Sequence, residues 1–437
     1  MLPPRSPNRH PVRSSYWTQR WPGFIVPVAK SGLLLQLLFL ANMSYLYGAL
    51  FQSSDRVHAL SVLAVDYDGG EIGQALRLAY NSTQASNFPT LEFHTPSEFP
   101  NPDHLETAVC RGGYWAAIYA HQGATERLFQ AIDGTNTSVY DPGDAISYMY
   151  NGIVYPVVAA SMIDANLRAL VTIATQTFYT IAPEVRAAVN LSDPTIANVF
   201  LNPIQASTSI TAPTNQGTRV LFNTVSMVMP QLMQFFFIMG LNAVFTFSGV
   251  FATMSKRDIF LIRLFLNKVF GLASGLAMAG YIWAFRESWE VSTGQFFQTW
   301  MCLWLFMDIN FQVVDTFIEV LIPMRYWAYF FLSWIIINVT STVWPFELSS
   351  SFYRLGYALP AHNIWTLLMT IWSRGCRNQN KVALPVLLAW WVIGHITSAW
   401  SARKRCLLNE TVEQSGSIRQ EESPASTGEE SLEAHHK

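Results

Sequence analysis

Residues 299–322 read TWMCLWLFMDINFQVVDTFIEVLI, an apolar run with acids and amides set into it at helical spacing. Roughly 20 apolar residues are enough to cross a bilayer as a helix. Asp308, Gln312, Asp315 and Glu319 step by four, three and four, so a helix carries all four on one face. Ionisable groups at that depth are costly and turn toward protein or a wet cavity. The run therefore predicts a span whose polar side is covered by other helices. Arg263 and Lys268, on the preceding antiparallel span, are the expected partners. Two roles fit such a pairing: a static ion-pair network holding the bundle, or the lining of a substrate or proton path.

The flanking sequence supplies the other helices. From 223 to 400 the chain is one apolar tract, punctuated by charges at 255–258, 286–287, 324–325 and 374–381. It predicts a five-helix membrane domain over 222–400, with spans at 222–254 (Pro230 near its outer end), 259–285, 299–322, 327–343 and a last one ending at 400. Gly271 and Gly275, followed by Ala277, Ala279 and Gly280, let another helix approach closely. Close packing inside the bundle is the plain reading of that stripe, and a homodimer is the alternative. Residues 352–373 form a short apolar run opened by Tyr357, Pro360, His362 and Asn363. They predict a re-entrant or interfacial segment on the outer side. A seventh span is the alternative, and the flanking Arg354, Arg374, Arg377 and Lys381 balance Arg403, Lys404 and Arg405 without deciding.

Toward the N-terminus, residues 1–30 hold five basic residues, no acid and several prolines, which predicts a disordered cytosolic tail. Residues 31–51 are the first transmembrane helix, too long and too poorly ended for a cleaved signal. Residues 52–219 are then extracytoplasmic; they contain no lysine, seven arginines and fifteen acids. Asn81, Asn136 and Asn190 are glycosylation acceptors on that side. Residues 401–437 predict a disordered cytosolic tail, with Cys406 beside Arg405 as a palmitoylation candidate.

Within 52–219, strands at 59–65, 91–94, 115–119 and near Val139 alternate with helices at 71–80, 101–109, 126–132 and 154–180. That alternation predicts an α/β domain. The expected fold class is a polytopic α-helical membrane protein of six transmembrane helices, with an α/β extracytoplasmic domain inserted between helices 1 and 2. Composition agrees: 51% of residues are hydrophobic and 13% charged, against about 25% charged in soluble domains.

Enzyme signatures are missing from the sequence. Asp66 and Asp68 end a strand, where α/β sites often lie, but Asp66-Tyr67-Asp68-Gly69-Gly70 is also what a tight reversal uses. His94, His104 and His121 lack metal-ligand spacing, and there is no nucleophile elbow, zinc-protease pair or phosphate loop. The expectation is no enzyme, no cofactor and no metal. A net charge of −2 gives no reason to expect a nucleic-acid partner; membrane lipids are the expected surroundings.

The segment 352–363, with Gly356-Tyr357-Ala358-Leu359-Pro360 and His362-Asn363, resembles the C-terminal signature of the fungal nitrosoguanidine-resistance membrane protein family. Val228-Met229-Pro230-Gln231 and the Asp66–Gly70 turn look similar to that family too. The resemblance covers about residues 30–405. It implies an architecture like the permeases of type-2 ABC exporters: one span, a large outer domain, five spans and an outer re-entrant element. It also implies export of, or resistance to, amphipathic toxic compounds or lipids at the plasma membrane. With no nucleotide site in the chain, such export needs a separate ATPase subunit or an ion gradient. A non-transporting scaffold with a partner-binding ectodomain is the competing reading. In the six-span arrangement Cys110 and Cys376 both face an oxidising space and are a candidate disulfide.

Overall fold

The computed structural model describes residues 13–135, 140–183, 192–213, 217–318 and 320–421, with Ala252 and residues 409–421 as backbone only. The chain enters through helix α1 (Trp21–Leu50), whose described buried residues are Asn42 and Ala49. The helix begins ten residues before the expected span, so part of the basic N-terminal segment is helical. Apolar Trp21, Phe24 and Ile25 extend the run that a bilayer selects. Asn42 Nδ2 donates to Ser333 Oγ at 3.1 Å, tying this helix to α10 (Met324–Val343) of the bundle.

Five strands follow: β1 (Ser61–Asp66), β2 (Thr90–His94), β3 (Ala116–Ala120), β4 (Ile146–Asn151) and β5 (Ala206–Thr211). They form one sheet in the order β2-β1-β3-β4-β5. All pairs are parallel except β3 with β4, where Ile118 faces Tyr148. Alternate side chains feed two layers. Val62, Ala64, Ile118 and Tyr148 pack with helices α2 (Glu71–Thr83), α4 (Ala124–Ile132) and α5 (Pro156–Ile181). Leu63, Val65 and Ala117 pack with Leu105 and Val109 of α3 (Pro102–Arg111). Asn101 caps α3, its side chain accepting from the His104 amide, and Pro102 sits where no amide hydrogen is missed. The strand expected near Val139 falls outside the described residues; the fourth strand is β4. A short helix, α6 (Pro194–Leu201), precedes β5.

The membrane part contains α7 (Val225–Phe247), α8 (Lys256–Ala284), α9 (Thr293–Phe317), α10 (Met324–Val343), α11 (Pro360–Trp372) and α12 (Asn380–Glu421). The expected span 222–254 is interrupted at Gly249, which takes φ +63° and ends α7. Among the described residues, six helices are long and apolar enough to cross a membrane: α1, α5, α7, α8, α10 and residues Asn380–Leu408 of α12. The set differs from the expected one at two places. Helix α5 qualifies by composition, yet it buries Leu167, Leu170 and Phe178 against the sheet domain. Helix α9 does not qualify, because its amides and acids lower its hydropathy, and it is the helix that α7, α8, α11 and α12 surround.

After α10 the chain stays beside the sheet domain, where Arg56 Nη1 donates to the Leu348 carbonyl at 3.4 Å. A 3-10 stretch, Ser351–Ala358, then runs down α1 and into the bundle. Tyr353 donates to the Tyr45 carbonyl, and the Ala358 carbonyl accepts from Trp390 Nε1 at 2.7 Å. Helix α11 returns, ending at a disulfide between Cys376 and Cys110. At 1.5 Å per residue it is about 20 Å long, short of the roughly 30 Å hydrocarbon core. The segment thus leaves and rejoins the sheet's side of the molecule. The cores meet there too, through Tyr155 against Trp365 at 5.9 Å and Phe222 against Trp372 at 5.0 Å.

Two expectations at the C-terminus need correction. Helix α12 covers residues 401–421 of the tail expected to be disordered over 401–437, and residues 422–437 lie outside the described residues. Cys406 is 1% exposed and packs with Phe245, Phe251 and Ile259, which removes it from an acyltransferase's reach.

Candidate functional site

Helix α9 starts on a reciprocal cap: Ser292 accepts from the Gln295 amide while the Gln295 side chain accepts from the Ser292 amide. Its path along α8 is set by glycine. A Cβ on Gly275 would stand 3.2 Å from the Trp304 amide nitrogen, and one on Gly271 would stand 3.3 Å from the Trp304 ring. The approach lets Trp300 Nε1 and Trp304 Nε1 donate to the α8 carbonyls of Leu272 and Lys268. At Gly271 and Gly275 the small-residue stripe is thus filled by α9 of the same chain. On the opposite side a Cβ on Gly394 would fall 2.8 Å from Gln312 Cβ, so α12 lies equally close.

Between these helices α9 presents two carboxylates. Asp315 is paired with Arg263 of α8 and accepts from Arg405 Nη2 at 2.8 Å and Ser398 Oγ at 2.8 Å, both on α12. The side chains of Asp315, Arg263 and Arg405 are no more than 2% exposed. Asp308 is paired with Lys268 and accepts from Asn267 Nδ2 and Trp391 Nε1, each at 2.7 Å. Gln312 Nε2 lies 3.4 Å from Asp308 Oδ1, and His395 Nε2 lies 3.9 Å from Oδ2. Asp308 is 3% exposed, but Lys268 is 27% and His395 19% exposed. Trp304 and Trp391 flank the Lys268 ammonium, at 5.8 and 5.3 Å from the ring centroids. A polar line continues to α7, where Gln234 Nε2 donates to Asn267 Oδ1 at 2.5 Å. The Oε1 atoms of Gln234 and Gln312 are buried with no hydrogen-bond partner among the described residues.

The structure thus brings Asp308, Gln312, Asp315, Arg263 and Lys268 together; Glu319 lies outside the described residues. The sequence reading missed the α12 contribution: Trp391, His395, Ser398 and Arg405. These recur at four, three and seven, a helical stripe that was available. By sequence Arg405 is an aqueous-flank charge, whereas burial beside Asp315 makes it part of the core.

The remaining candidates have local structural tasks. His362 hydrogen-bonds through Nδ1 to the Ser341 carbonyl at 3.1 Å and packs against the rings of Phe346 and Tyr357, which also touch each other. Asn363 Nδ2 donates to the Tyr357 and Leu359 carbonyls at 2.9 and 2.8 Å. Pro360 opens α11, and Asn338 Oδ1 accepts from the next amide, that of Ala361. Together these groups close the turn at the start of this short helix. Beside the disulfide, the Arg377 amide donates to the Cys110 carbonyl at 2.6 Å and its guanidinium covers Trp115 at 4.5 Å. Burial of the Arg377 guanidinium lowers its pKa from the usual arginine value.

In the sheet domain Asp66 Oδ1 accepts from the amides of Asp68 and Gly69, and Asp68 accepts from the Thr125 amide at 2.9 Å. Both acids are engaged in the turn and in capping α4. His94 contacts Glu98, His104 contacts Asn101 and His121 contacts Ser147. No group of three metal-ligating side chains occurs among the described residues. Asn81 is exposed on α2; Asn136 and Asn190 lie outside the described residues.

A family profile described as "Protein of unknown function (DUF3533)" matches residues 31–396. An uncharacterized endoplasmic reticulum membrane protein of Saccharomyces cerevisiae is 25% identical over 138 residues, which is 27% of this chain and 27% of that protein. The chain therefore matches about a quarter of the length of this relative. No solved structure matches.

Proposed function

The chain belongs to the DUF3533 family, and we propose that it acts as a multi-pass, permease-like protein contributing to export of, or resistance to, amphipathic toxic compounds or lipids. The observation that carries this reading is the Asp308 niche. Lys268 lies about 18 Å along α8 from Lys256, at 1.5 Å per residue, which is deep in a hydrocarbon core of roughly 30 Å. An ion pair held there adds little stability over well-packed apolar residues. A pair that is also open on one side is better accounted for by something that visits it. Lys268 and Asp308 offer a polar floor between two indole walls, suited to a molecule with a polar head and an apolar body.

In this reading residues 13–20 and the far end of α12 are cytosolic, and the sheet domain lies across the membrane. The disulfide supports that side as the oxidising one, and Asn81 is its accessible glycosylation acceptor. The yeast relative's location favours the endoplasmic reticulum over the plasma membrane. With no nucleotide loop, work comes from an ion gradient or from a separate ATPase subunit. A homodimer would use a face other than the α8 stripe at Gly271 and Gly275, which α9 fills. No catalytic role is assigned to any residue.

The test is resistance and efflux in cells carrying Asp308→Asn. We expect efflux of amphipathic dyes to fall at least tenfold while the amount in the membrane stays unchanged; undiminished efflux at normal abundance overturns the permease reading. One observation favours the scaffold instead: the sheet domain and the bundle share a core and a covalent staple. A scaffold would lose through Asp308→Asn only what it loses in stability.

A further inference from the structure

Lys268 already balances Asp308, so the third ionisable group of the niche, His395, is not needed for neutrality. Its ring lies against Trp391, with centroids 4.3 Å apart. Nδ1 is 2.7 Å from the Trp391 carbonyl, which can only accept, so the ring hydrogen is on Nδ1. Nε2 then carries a bare lone pair, with Lys268 Nζ at 3.4 Å and Gln312 Nε2 at 3.5 Å as donors and Asp308 Oδ2 at 3.9 Å. In that state His395 accepts from the ammonium.

We propose that His395 is a proton-binding switch on the Asp308–Lys268 pair, and that protons are the coupling ligand of this protein. A proton from water adds to Nε2, and the imidazole becomes an imidazolium. Nε2 turns from acceptor into donor: it loses the Lys268 hydrogen bond, repels the ammonium and presents an N–H to Asp308 Oδ2. One cation replaces another on the same carboxylate. Lys268, already 27% exposed, is released toward the open side, where it meets the polar head of a ligand. This rests on the permease reading for its purpose, but not for its chemistry.

The surroundings contain few other groups able to titrate in the same range. Facing His395 are Asp308 and Gln312 from α9 and Lys268 from α8. Helix α11, also packed on α12, carries His362, which is bonded to the Ser341 carbonyl of α10. The short Val250–Thr253 turn carries no ionisable side chain. Further along α9, Asp315 is occupied by Arg263 and Arg405. Imidazole is the side chain whose ordinary pKa, ~6.5, lies in the physiological window.

The switch is read without any transport assay, because an imidazolium quenches an indole against it. Full-length protein in lipid nanodiscs is titrated from about pH 8.5 to about 4.5, bracketing that value, and the fluorescence of Trp391→Phe is subtracted from that of the unmodified protein. The difference signal is expected to fall in a single-proton step and to stay flat in His395→Gln. Asp308→Asn removes the anion that favours the imidazolium and moves the midpoint to lower pH. Lys268→Gln removes the opposing cation and moves it higher. A flat difference signal, a step that survives His395→Gln, or midpoints unmoved in both charge variants overturns the switch. Intact titration with undiminished efflux in Asp308→Asn instead overturns the permease reading alone.

Discussion

Asp308 and Asp315 lie on one face of one helix, and each meets cations from its neighbours, yet their environments differ. Asp315 is clamped by two guanidiniums and a hydroxyl, all buried. Arginine is always charged and forks rigidly onto carboxylates, which suits a fixed joint. Asp308 meets one lysine, a compact charge on a flexible stem, with an indole, two amides and an imidazole nearby. A polar stripe on one helix need not have one role: one end can lock the bundle while the other stays able to rearrange.

The largest effect is expected at the locked end. Asp315→Asn leaves two arginines facing an amide and should destabilise by about 3–5 kcal/mol, the usual cost of orphaning a buried partner; loss of the folded fraction in detergent melting checks it. Replacing Asp315, Arg263 and Arg405 together by leucine should recover most of that loss if the joint is only mechanical. Between the two sites, Gly394→Ala forces a methyl toward Gln312 and should cost about 1–3 kcal/mol through displacement of α12. It should also perturb the His395 titration, which Asp315→Asn should not. Trp391→Phe removes one hydrogen bond to Asp308 and should cost about 1 kcal/mol. Smallest in stability is Asp308→Asn, about 1 kcal/mol or less, because Lys268 can swing to the open side; under the proposed permease reading its main effect is on efflux. A thermal-shift loss as large as that of Asp315→Asn would erase the distinction.

Much of this was legible because local rules applied. The strands around Val62, Leu91 and Ile118 were marked by apolar runs between turn residues, and Asn101-Pro102 announced a helix start. The polar face of α9 followed from spacing alone. What escaped was set by tertiary context. Arg405 reads as a flank charge beside Arg403 and Lys404, and only a carboxylate opposite makes its burial affordable. His395 sits singly in an apolar run, and its meaning depends on Lys268, which lies 127 positions away. The apolar α5 shows the reverse: composition qualifies it as a span, and the sheet domain claims it as core.

The Cys110–Cys376 bond joins residues separated by 266 positions. Ribosomal synthesis completes the first cysteine long before the second, so the sheet domain waits as a free thiol while α7 to α11 are made. Only then does the ring close, enclosing those helices in one covalent loop. A protease nick anywhere between the two cysteines would leave halves that part only when a reductant is added.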